Sequence, residues 1–319
     1  MATKLPTKTM GKNGPQVPAL GFGLMGLSAF YGVPTPDEER FKLLDRVYEL
    51  GCIHWDSAAL YGDSEELLGR WFQRTGKRSE IFLATKFGNH VTPDGGREIR
   101  NDSEYIHKAV AESLRRLQTD YIDLLYCSGK VKYIGLSECG VDTLRRASKI
   151  HQITAYQIEY SPFSMDIEKP EISLLDTCRE LGIATVAYSP LGRGMLTGQY
   201  KSIDDFDAND FRRSIPRFSA ENFPKNLQLV DTLRNIADRK NCTSGQLSLA
   251  WMMNQGDDIF PIPGTKKIKY LEENMGAYNV ILTPEEDRQI RQAIENAEVH
   301  GTRVAKSLMG GLVMDTPPL

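Results

Sequence analysis

Eight short apolar runs alternate with helical stretches along this chain of 319 residues. Parallel strands that are buried on both faces have near-continuous apolar sequences, and alternation of strand and helix is typical of a parallel sheet. The predicted strands are 17–23, 52–56, 81–86, 121–126, 131–137, 155–159, 183–188 and 259–262. Eight such units favour an α/β fold of the (β/α)8 TIM-barrel type, and a doubly wound open sheet is the alternative. We expect residues 1–319 to form one barrel domain.

Capping residues delimit several of the predicted helices. Thr35 and Glu38 predict a capping box at the start of the first helix, and Thr243 and Gln246 predict another near the end of the barrel. A helix is also predicted over 170–181, where a glycine follows and ends it. These signals support the alternation of strand and helix.

The composition excludes several classes of protein. The net charge is -3, which predicts no nucleic-acid surface and no polybasic membrane patch. The five cysteines form no CxxC pair, so neither a metal knuckle nor a disulfide framework is indicated. We expect a cytoplasmic protein with no membrane segment, and the sequence does not indicate its oligomeric state.

The stretch Gly21-Phe22-Gly23-Leu24-Met25-Gly26 matches the GxGxxG pattern of a dinucleotide-binding phosphate loop. That loop requires a helix that opens at the third glycine. Residues 28–36 follow here and contain one glycine and two prolines, which is typical of a loop. We therefore interpret the stretch as a strand end rather than as a Rossmann motif.

Two predicted strands end in charged side chains. Asp56 ends the second strand and Lys86 ends the third, and Tyr61 follows Asp56 by five positions. Because active sites of parallel barrels lie at the carboxyl ends of the strands, we expect these three side chains to lie close together there.

The three side chains predict a proton-donor site. A neighbouring ammonium lowers the pKa of a tyrosine from its ordinary value near 10, so we expect Lys86 to make Tyr61 more acidic. A buried lysine needs a paired charge, which Asp56 can supply. Such a trio can protonate a carbonyl oxygen, and because no side chain supplies hydride, a nicotinamide cofactor is implied. The ordinary alternative is a loop aromatic, a turn cap and a solvated strand end.

The sequence resembles the aldo-keto reductases over nearly its whole length. The matching stretches are 20–23 with 25–26, 56–62, 84–88, 120–124, 133–137, 157–162, 188–194 and 262–265. Gly135 to Glu138 and Asp315 to Leu319 most resemble the pyridoxal reductase and perakine reductase branch. The resemblance implies an oxidoreductase that reduces an aldehyde or ketone with NADPH on a (β/α)8 barrel, with Tyr61 as the proton donor.

The resemblance also implies contacts with the nicotinamide half of the cofactor. Ser137 and Gln157 would hold the carboxamide, and Tyr188 would stack on the nicotinamide ring. Glu138 stands where many relatives have asparagine. The further implied cofactor contacts are Gly23, Met25 and Asp56, and along the pyrophosphate Ser189, Pro190, Leu191, Gly192 and Arg193.

The adenosine end of the cofactor is implied at the start of the last core helix. Backbone N–H groups at a helix N-terminus, together with lysines, form an anion site on physical grounds alone. Lys266 and Lys269 add charge that fits a 2′-phosphate, which favours NADP over NAD. The implied contacts are Gly264, Thr265 and Lys267 at the phosphate, with Glu273 and Asn274 at the adenine.

The resemblance is interrupted after Cys127. In the family the fourth strand continues into a catalytic histidine and then into a helix, whereas here residues 128–130 lead directly into the next strand. We therefore predict an internal deletion after Cys127 and a barrel that lacks the helix between strands 4 and 5. So short a connection is typical of an antiparallel hairpin, because parallel strands need a connection of about a dozen residues or more. We also expect the uncovered surface to lower stability.

Three explanations of the deletion are open: an error in splicing or in the gene sequence, an isoform with altered activity, or a rebuilt and active local fold. His90, at the predicted barrel mouth, is the best candidate to replace the lost histidine. The main prediction is an NADPH-dependent reductase of a small carbonyl substrate, and the sequence leaves open whether loss of the histidine impairs its activity. The alternatives are an NADPH-binding barrel that acts as a partner subunit or sensor, and an isoform with neither role.

Overall fold

The computed structural model describes residues 4–92, 96–126, 131–305, 309–310 and 312–317. The strands of these ranges are β1 (Thr7–Thr9), β2 (Gln16–Pro18), β3 (Phe22–Gly23), β4 (His54–Asp56), β5 (Phe82–Lys86), β6 (Asn89–Val91), β7 (Arg97–Ile99), β8 (Ile122–Tyr126), β9 (Val131–Ser137), β10 (Ala155–Glu159), β11 (Ala184–Tyr188) and β12 (Ile259–Pro261). The helices are α1 (Met25–Ser28), α2 (Asp37–Glu49), α3 (Ser64–Thr75), α4 (Ser103–Leu117), α5 (Val141–Ile150), α6 (Leu174–Leu181), α7 (Phe223–Arg239), α8 (Ser244–Asn254), α9 (Ile268–Met275) and α10 (Pro284–Glu295). None of these helices is long and apolar enough to cross a membrane.

Eight of the strands form one parallel sheet in the order β3-β4-β5-β8-β9-β10-β11-β12. The order follows the chain without the reversal that defines a doubly wound sheet. The two edges also meet, because the Gly21 amide donates to the Pro261 carbonyl at 2.9 Å and the Gly23 amide donates to the Pro263 carbonyl at 3.0 Å. The predicted (β/α)8 fold is therefore confirmed, and the open-sheet alternative is wrong.

The predicted first strand, 17–23, is wrong as a single element. Residues up to Pro18 belong to the hairpin of β1 and β2, and the barrel strand β3 starts only at Phe22. Met10 and Val17 from the hairpin are buried in the same cluster as the residues that line the barrel interior. The apolar run therefore serves two elements, one that covers an end of the barrel and one that belongs to its wall.

The predicted caps have mixed outcomes. The box of Thr243 and Gln246 is present at the start of α8. The box at Thr35 is absent, because α2 starts after Pro36, whose backbone is extended, and no side chain caps it. The helix expected over 170–181 starts only at Leu174, because Ser173 before it adopts a left-handed backbone that interrupts helical geometry.

β8 and β9 run parallel although only four residues separate them. Ile122 lies opposite Val131 and Tyr126 lies opposite Gly135. The suggested antiparallel hairpin is wrong, because β9 is also held in parallel register by β10 on its other side. Cys127 and the rest of the predicted deletion point lie outside the described residues. The number of residues between β8 and β9 is nevertheless too small for a crossover helix.

The wall of the barrel is covered unevenly. Every residue of β8 and of β10 is buried, whereas Gly135 is the single fully buried residue of β9. Lys132 of β9 is exposed, and Ile134 and Leu136, which follow it on the same face, are only partly buried. The outer face of β9 is therefore the part of the described sheet where a covering helix is missing.

Candidate active site

The last residues of six consecutive barrel strands collect polar side chains at one end of the barrel. Parallel strands place their carboxyl ends together, which brings distant parts of the sequence to one site. These residues are Asp56 of β4, Lys86 of β5, Tyr126 of β8, Ser137 of β9, Glu159 of β10 and Tyr188 of β11.

The centre of the site is a buried ion pair. Lys86 Nζ donates to Asp56 Oδ1 at 2.6 Å and to the Ser57 carbonyl at 2.7 Å. Gln157 Nε2 donates to the other carboxylate oxygen, Asp56 Oδ2, at 2.7 Å. Asp56 is 2% exposed, so its charge is held by these partners rather than by water.

Tyr61 lies beside this pair, in the loop between β4 and α3. Lys86 Nζ is 5.1 Å from the centre of the Tyr61 ring, and the ring of Phe30 packs edge-on against it at 6.4 Å. The structure therefore brings Asp56, Tyr61 and Lys86 together, as the sequence predicts.

Lys86 lowers the pKa of Tyr61, as the sequence predicts, but the net direction of the pKa is upward. Burial raises the pKa of Tyr61, and the opposing charge of Lys86 does not fully offset it, so the net direction is upward. Burial by itself would lower the pKa of Lys86, but Asp56 and Tyr61 raise it overall. The site therefore holds a protonated tyrosine next to a charged lysine.

Tyr126 is a member of the site that the sequence analysis missed. It is 1% exposed, its hydroxyl has no hydrogen-bond partner among the described residues, and Lys86 Nζ lies 5.5 Å from its ring centre. Its ring lies across Gly135, where a Cβ would be 2.6 Å from the Tyr126 Cδ1 atom. Tyr126 belongs to the apolar run of β8. Its position at the end of a predicted strand was the signal that could have identified it.

Arg303 is a second missed residue, and it comes from the segment after α10. Arg303 Nη1 and Nη2 donate to the two carboxylate oxygens of Glu138 at 2.9 and 2.8 Å. Arg303 Nη1 also donates to the Tyr188 hydroxyl at 2.7 Å, and that hydroxyl donates to Glu138 Oε1 at 2.7 Å. The predicted nicotinamide-stacking tyrosine is thus fixed by a charged pair, which no local sequence pattern reveals.

A second carboxylate, Glu159, lies next to this pair. Arg193 Nη2 donates to Glu159 Oε2 at 3.3 Å, and Arg217 Nη1 donates to Glu159 Oε1 at 3.2 Å. Ser164 Oγ donates to Glu159 Oε1 at 2.7 Å. Glu159 is therefore satisfied by partners from three different loops.

The loop after β11 has the backbone of a binding loop. Ser189 and Arg193 adopt left-handed conformations, with φ of 50° and 56°, and Glu138 does the same at 54° after β9. Such conformations are costly for residues other than glycine and concentrate at functional sites. Pro190, Leu191 and Gly192 are buried between them. The residues predicted to line the pyrophosphate are thus held in a strained, well-defined turn.

The start of α9 fits a phosphate group. No side chain caps this helix, Thr265 Oγ1 accepts from the Lys267 amide at 3.1 Å, and Gly264, Lys267 and Lys269 are exposed. Gly264 approaches Gly23 so closely that a Cβ on Gly264 would be 2.5 Å from the Gly23 carbonyl oxygen.

Four other residues of the predicted cofactor site lie on α9, just before it, or beside β3. The Nζ atom of Lys266 donates to the Tyr31 carbonyl, which holds this side chain against the loop before α2. Glu273 accepts from Thr243 Oγ1 at 2.8 Å, and Asn274 is buried. Met25 opens α1 beside β3 and is partly exposed.

His90 and His54 both pack against aromatic rings. The ring of His90 packs edge-on against Tyr105 of α4 at 5.6 Å. His54 lies inside the barrel between Phe82 and Phe260, fully buried, and neither ring nitrogen has a hydrogen-bond partner in the described part of the chain. Burial, and then the charge of Lys86, lowers the pKa of His54 to about 4. His54 is thus a neutral residue of the barrel core.

Comparison with known proteins identifies the family. The model of the "Aldo/keto reductase family" matches residues 19–128 and 127–295. The aldo-keto reductase str7 of Strobilurus tenacellus is 52% identical over 341 aligned positions, which cover 99% of each chain. The aldo-keto reductase yakc [NADP(+)] of Schizosaccharomyces pombe is 49% identical, again over 99% of each chain.

Solved structures show the same fold at low sequence identity. The glycerol dehydrogenase of Gluconobacter oxydans superposes with a TM-score of 0.81 at 22% identity, over 93% of this chain and 97% of that one. An aldo-keto reductase of Bacillus halodurans, solved in its holo form, gives 0.74 at 23% identity, over 93% and 98%.

This chain belongs to the aldo-keto reductase family, whose members are oxidoreductases that act on carbonyl substrates with NADP(H). The predicted family, barrel fold and enzyme class are thereby confirmed. The pyridoxal reductase and perakine reductase branch stays a prediction.

The lowered pKa of His54 predicts acid sensitivity. Below its ordinary pKa of 6.5 the unfolded chain binds a proton on His54, whereas the folded chain does not until about 4, so folding stability falls as the pH decreases through this window. From pH ~7 to pH ~5 the loss from this one group is about 2 kcal/mol. Urea unfolding at the two pH values measures it.

Two variants isolate the contribution of His54. His54→Phe, which keeps an aromatic ring and cannot titrate, should lose less stability than the wild type over this pH range. His107→Gln, on the exposed face of α4, should lose as much as the wild type. Equal losses for His54→Phe and the wild type would contradict the assignment.

Proposed function

We propose that this protein reduces an aldehyde or a ketone to the alcohol with NADPH, and that Tyr61 donates the proton. The observation that carries the proposal is the position of the Lys86 ammonium, 2.6 Å from Asp56 Oδ1 and 5.1 Å from the centre of the Tyr61 ring. An ammonium in this position stabilises the phenolate that remains when Tyr61 gives up its proton.

The residues present fit NADPH along its whole length. Tyr188 and Ser137 would border the nicotinamide, and the strained turn of 189–193 would follow the pyrophosphate. The uncapped start of α9, with Lys267 and Lys269, would bind the 2′-phosphate through backbone N–H groups and charge. When bound, NADPH supplies the hydride that no side chain can supply.

The protein side chains supply the proton that the reaction needs. The raised pKa of Tyr61 keeps its proton in place at neutral pH until negative charge develops on a carbonyl oxygen near the hydroxyl. Lys86 is fixed by Asp56, which is itself fixed by Gln157, so the ammonium is oriented before the reaction. Asp56 is 2% exposed and Lys86 is 16% exposed, so little water screens this interaction.

A second candidate function is an NADPH-binding barrel with little catalysis, which acts as a partner subunit or sensor. The short connection between β8 and β9 favours it, and we propose that an internal deletion removed the family histidine there. Two further observations support a deletion. The two matched segments of the family model meet at 127–128, and the alignment with the Strobilurus relative exceeds the 319 residues of this chain by 22 positions.

Tyr61→Phe tests the proposed proton donor. Removal of one hydroxyl should reduce the turnover of 4-nitrobenzaldehyde by at least ~100-fold, the contribution of a positioned general acid, while quenching of NADPH fluorescence by binding persists. Steady-state NADPH oxidation and a fluorescence titration measure the two quantities.

The matched control is Tyr105→Phe, which removes a hydroxyl from the outer helix α4 and should change neither quantity. Unchanged turnover in Tyr61→Phe would refute Tyr61 as the donor. A wild-type protein that quenches NADPH fluorescence but turns over no aldehyde would favour the second candidate function.

A chimera tests the effect of the deletion. Replacement of 127–130 by the corresponding segment of the Schizosaccharomyces relative should cover the outer face of β9. Burial of apolar side chains such as Ile134 and Leu136 stabilises a fold by about 25 cal/mol per Å². We therefore expect a higher melting midpoint and faster aldehyde turnover in the chimera than in the natural chain.

The control for the chimera is an insertion of equal length made of glycine and serine. It lengthens the connection without an apolar face, so it should not raise the melting midpoint. Equal midpoints for the chimera and the natural chain would show that the face of β9 costs no stability.

A further inference from the structure

The segment after α10 places the guanidinium group of Arg303 at the site. The His300 amide donates to Asn226 Oδ1 at 2.8 Å, and Asn226 Nδ2 donates back to the His300 carbonyl at 2.9 Å. Arg217 Nε donates to the Gly301 carbonyl at 3.3 Å. Gly301 has a φ of +85°, and a Cβ there would be 2.7 Å from the Arg217 amide nitrogen, so this turn requires glycine. The turn directs Arg303 into the barrel mouth.

Arg303 is embedded there rather than laid on the surface. Its side chain is 10% exposed and that of Glu138 is 17% exposed. The two groups make a fork-shaped pair with two hydrogen bonds, and both also bond to the hydroxyl of Tyr188. Charge-assisted pairs of this geometry are the strong ones, and little water screens them at this depth.

The whole cluster carries an excess of positive charge. The cluster consists of the carboxylates of Glu138 and Glu159 and three guanidinium groups, those of Arg193, Arg217 and Arg303. The net charge of these five groups is +1. Arg193 and Arg217 are bound to Glu159, and Arg303 lies 4.0 Å from the same carboxylate. Arg303 brings a guanidinium group into direct contact with the Tyr188 hydroxyl, where it offsets the negative charge of Glu138.

We infer that Arg303 makes the cofactor site discriminate between the two redox forms of the nicotinamide, in favour of the reduced form. The inference rests on the proposed function, in which the nicotinamide stacks on Tyr188. The reduced ring is neutral and the oxidised ring carries a positive charge. A positive group held next to Tyr188 repels the oxidised ring and leaves the reduced ring unaffected, which favours NADPH binding and NADP+ release.

A purely structural role of Arg303 has a different consequence. If the arginine only anchors the C-terminal segment and the Tyr188 ring, its loss weakens both forms of the cofactor by the same factor. The ratio of the two dissociation constants, Kd of NADP+ over Kd of NADPH, separates the two roles. The dissociation constant of one form alone does not separate the two roles.

The test is calorimetric titration of each variant with NADPH and with NADP+. Arg303→Met should lower the ratio by about fivefold or more, as expected for removal of a poorly screened charge near the ring. Glu138→Gln removes the opposing charge and should raise the ratio. Arg303→Lys, which keeps the charge, should keep most of the ratio.

Arg146→Met is the matched control. Arg146 also anchors the C-terminal segment, since its Nη2 donates to the Thr316 carbonyl at 2.6 Å, but it does not contact Glu138 or Tyr188. It should leave the ratio unchanged. Shifts of opposite sign in Arg303→Met and Glu138→Gln support the inference even if one variant is less stable.

The outcomes also separate this inference from the proposed function. A wild-type protein that binds neither form of the cofactor overturns both. A wild-type protein that binds the cofactor, with the same ratio in Arg303→Met and Glu138→Gln as in the wild type, overturns the inference alone and leaves the reductase proposal intact.

Discussion

The site depends on the buried ion pair of Lys86 and Asp56. A lysine ammonium at this depth would lose its proton or its position without a partner, and the Asp56 carboxylate would be equally costly alone. Further hydrogen bonds stabilise the pair, because the Ser57 carbonyl accepts from Lys86 and Gln157 donates to Asp56. Tyr61 acquires its chemical role only from this arrangement, since its own burial raises its pKa.

The barrel produces this arrangement through the register in which its neighbouring parallel strands pair. Gly23 lies opposite Asp56 and Ser137 lies opposite Gln157, so residues far apart in the chain meet in one layer at the carboxyl end. The same geometry places Glu159 beside Tyr188, where Arg303 reaches from the C-terminal segment. β9 keeps its parallel register despite its short connection to β8, so the layer is complete even where the covering helix is missing.

The sequence predicted the parts of this structure that depend on local pattern. Apolar runs marked the strands, and strand ends marked Asp56 and Lys86, because barrel geometry follows from those runs. It failed where tertiary contacts decide the outcome. The Val17 run was divided between two elements, and Tyr126 was hidden within an apolar strand. Arg303 pairs with Glu138 across 165 positions, a distance over which a single sequence carries no pairing signal.

The most direct test of this account is a double-mutant cycle on the central pair. Asp56→Asn, Lys86→Met and the double variant are compared with the wild type by urea unfolding, which needs no substrate and no cofactor. Each single variant strands a buried charge, so the double variant should lose less stability than the two single losses combined, by at least ~1 kcal/mol. Additive losses would contradict the claim that Asp56 and Lys86 form the interdependent pair on which the site is built.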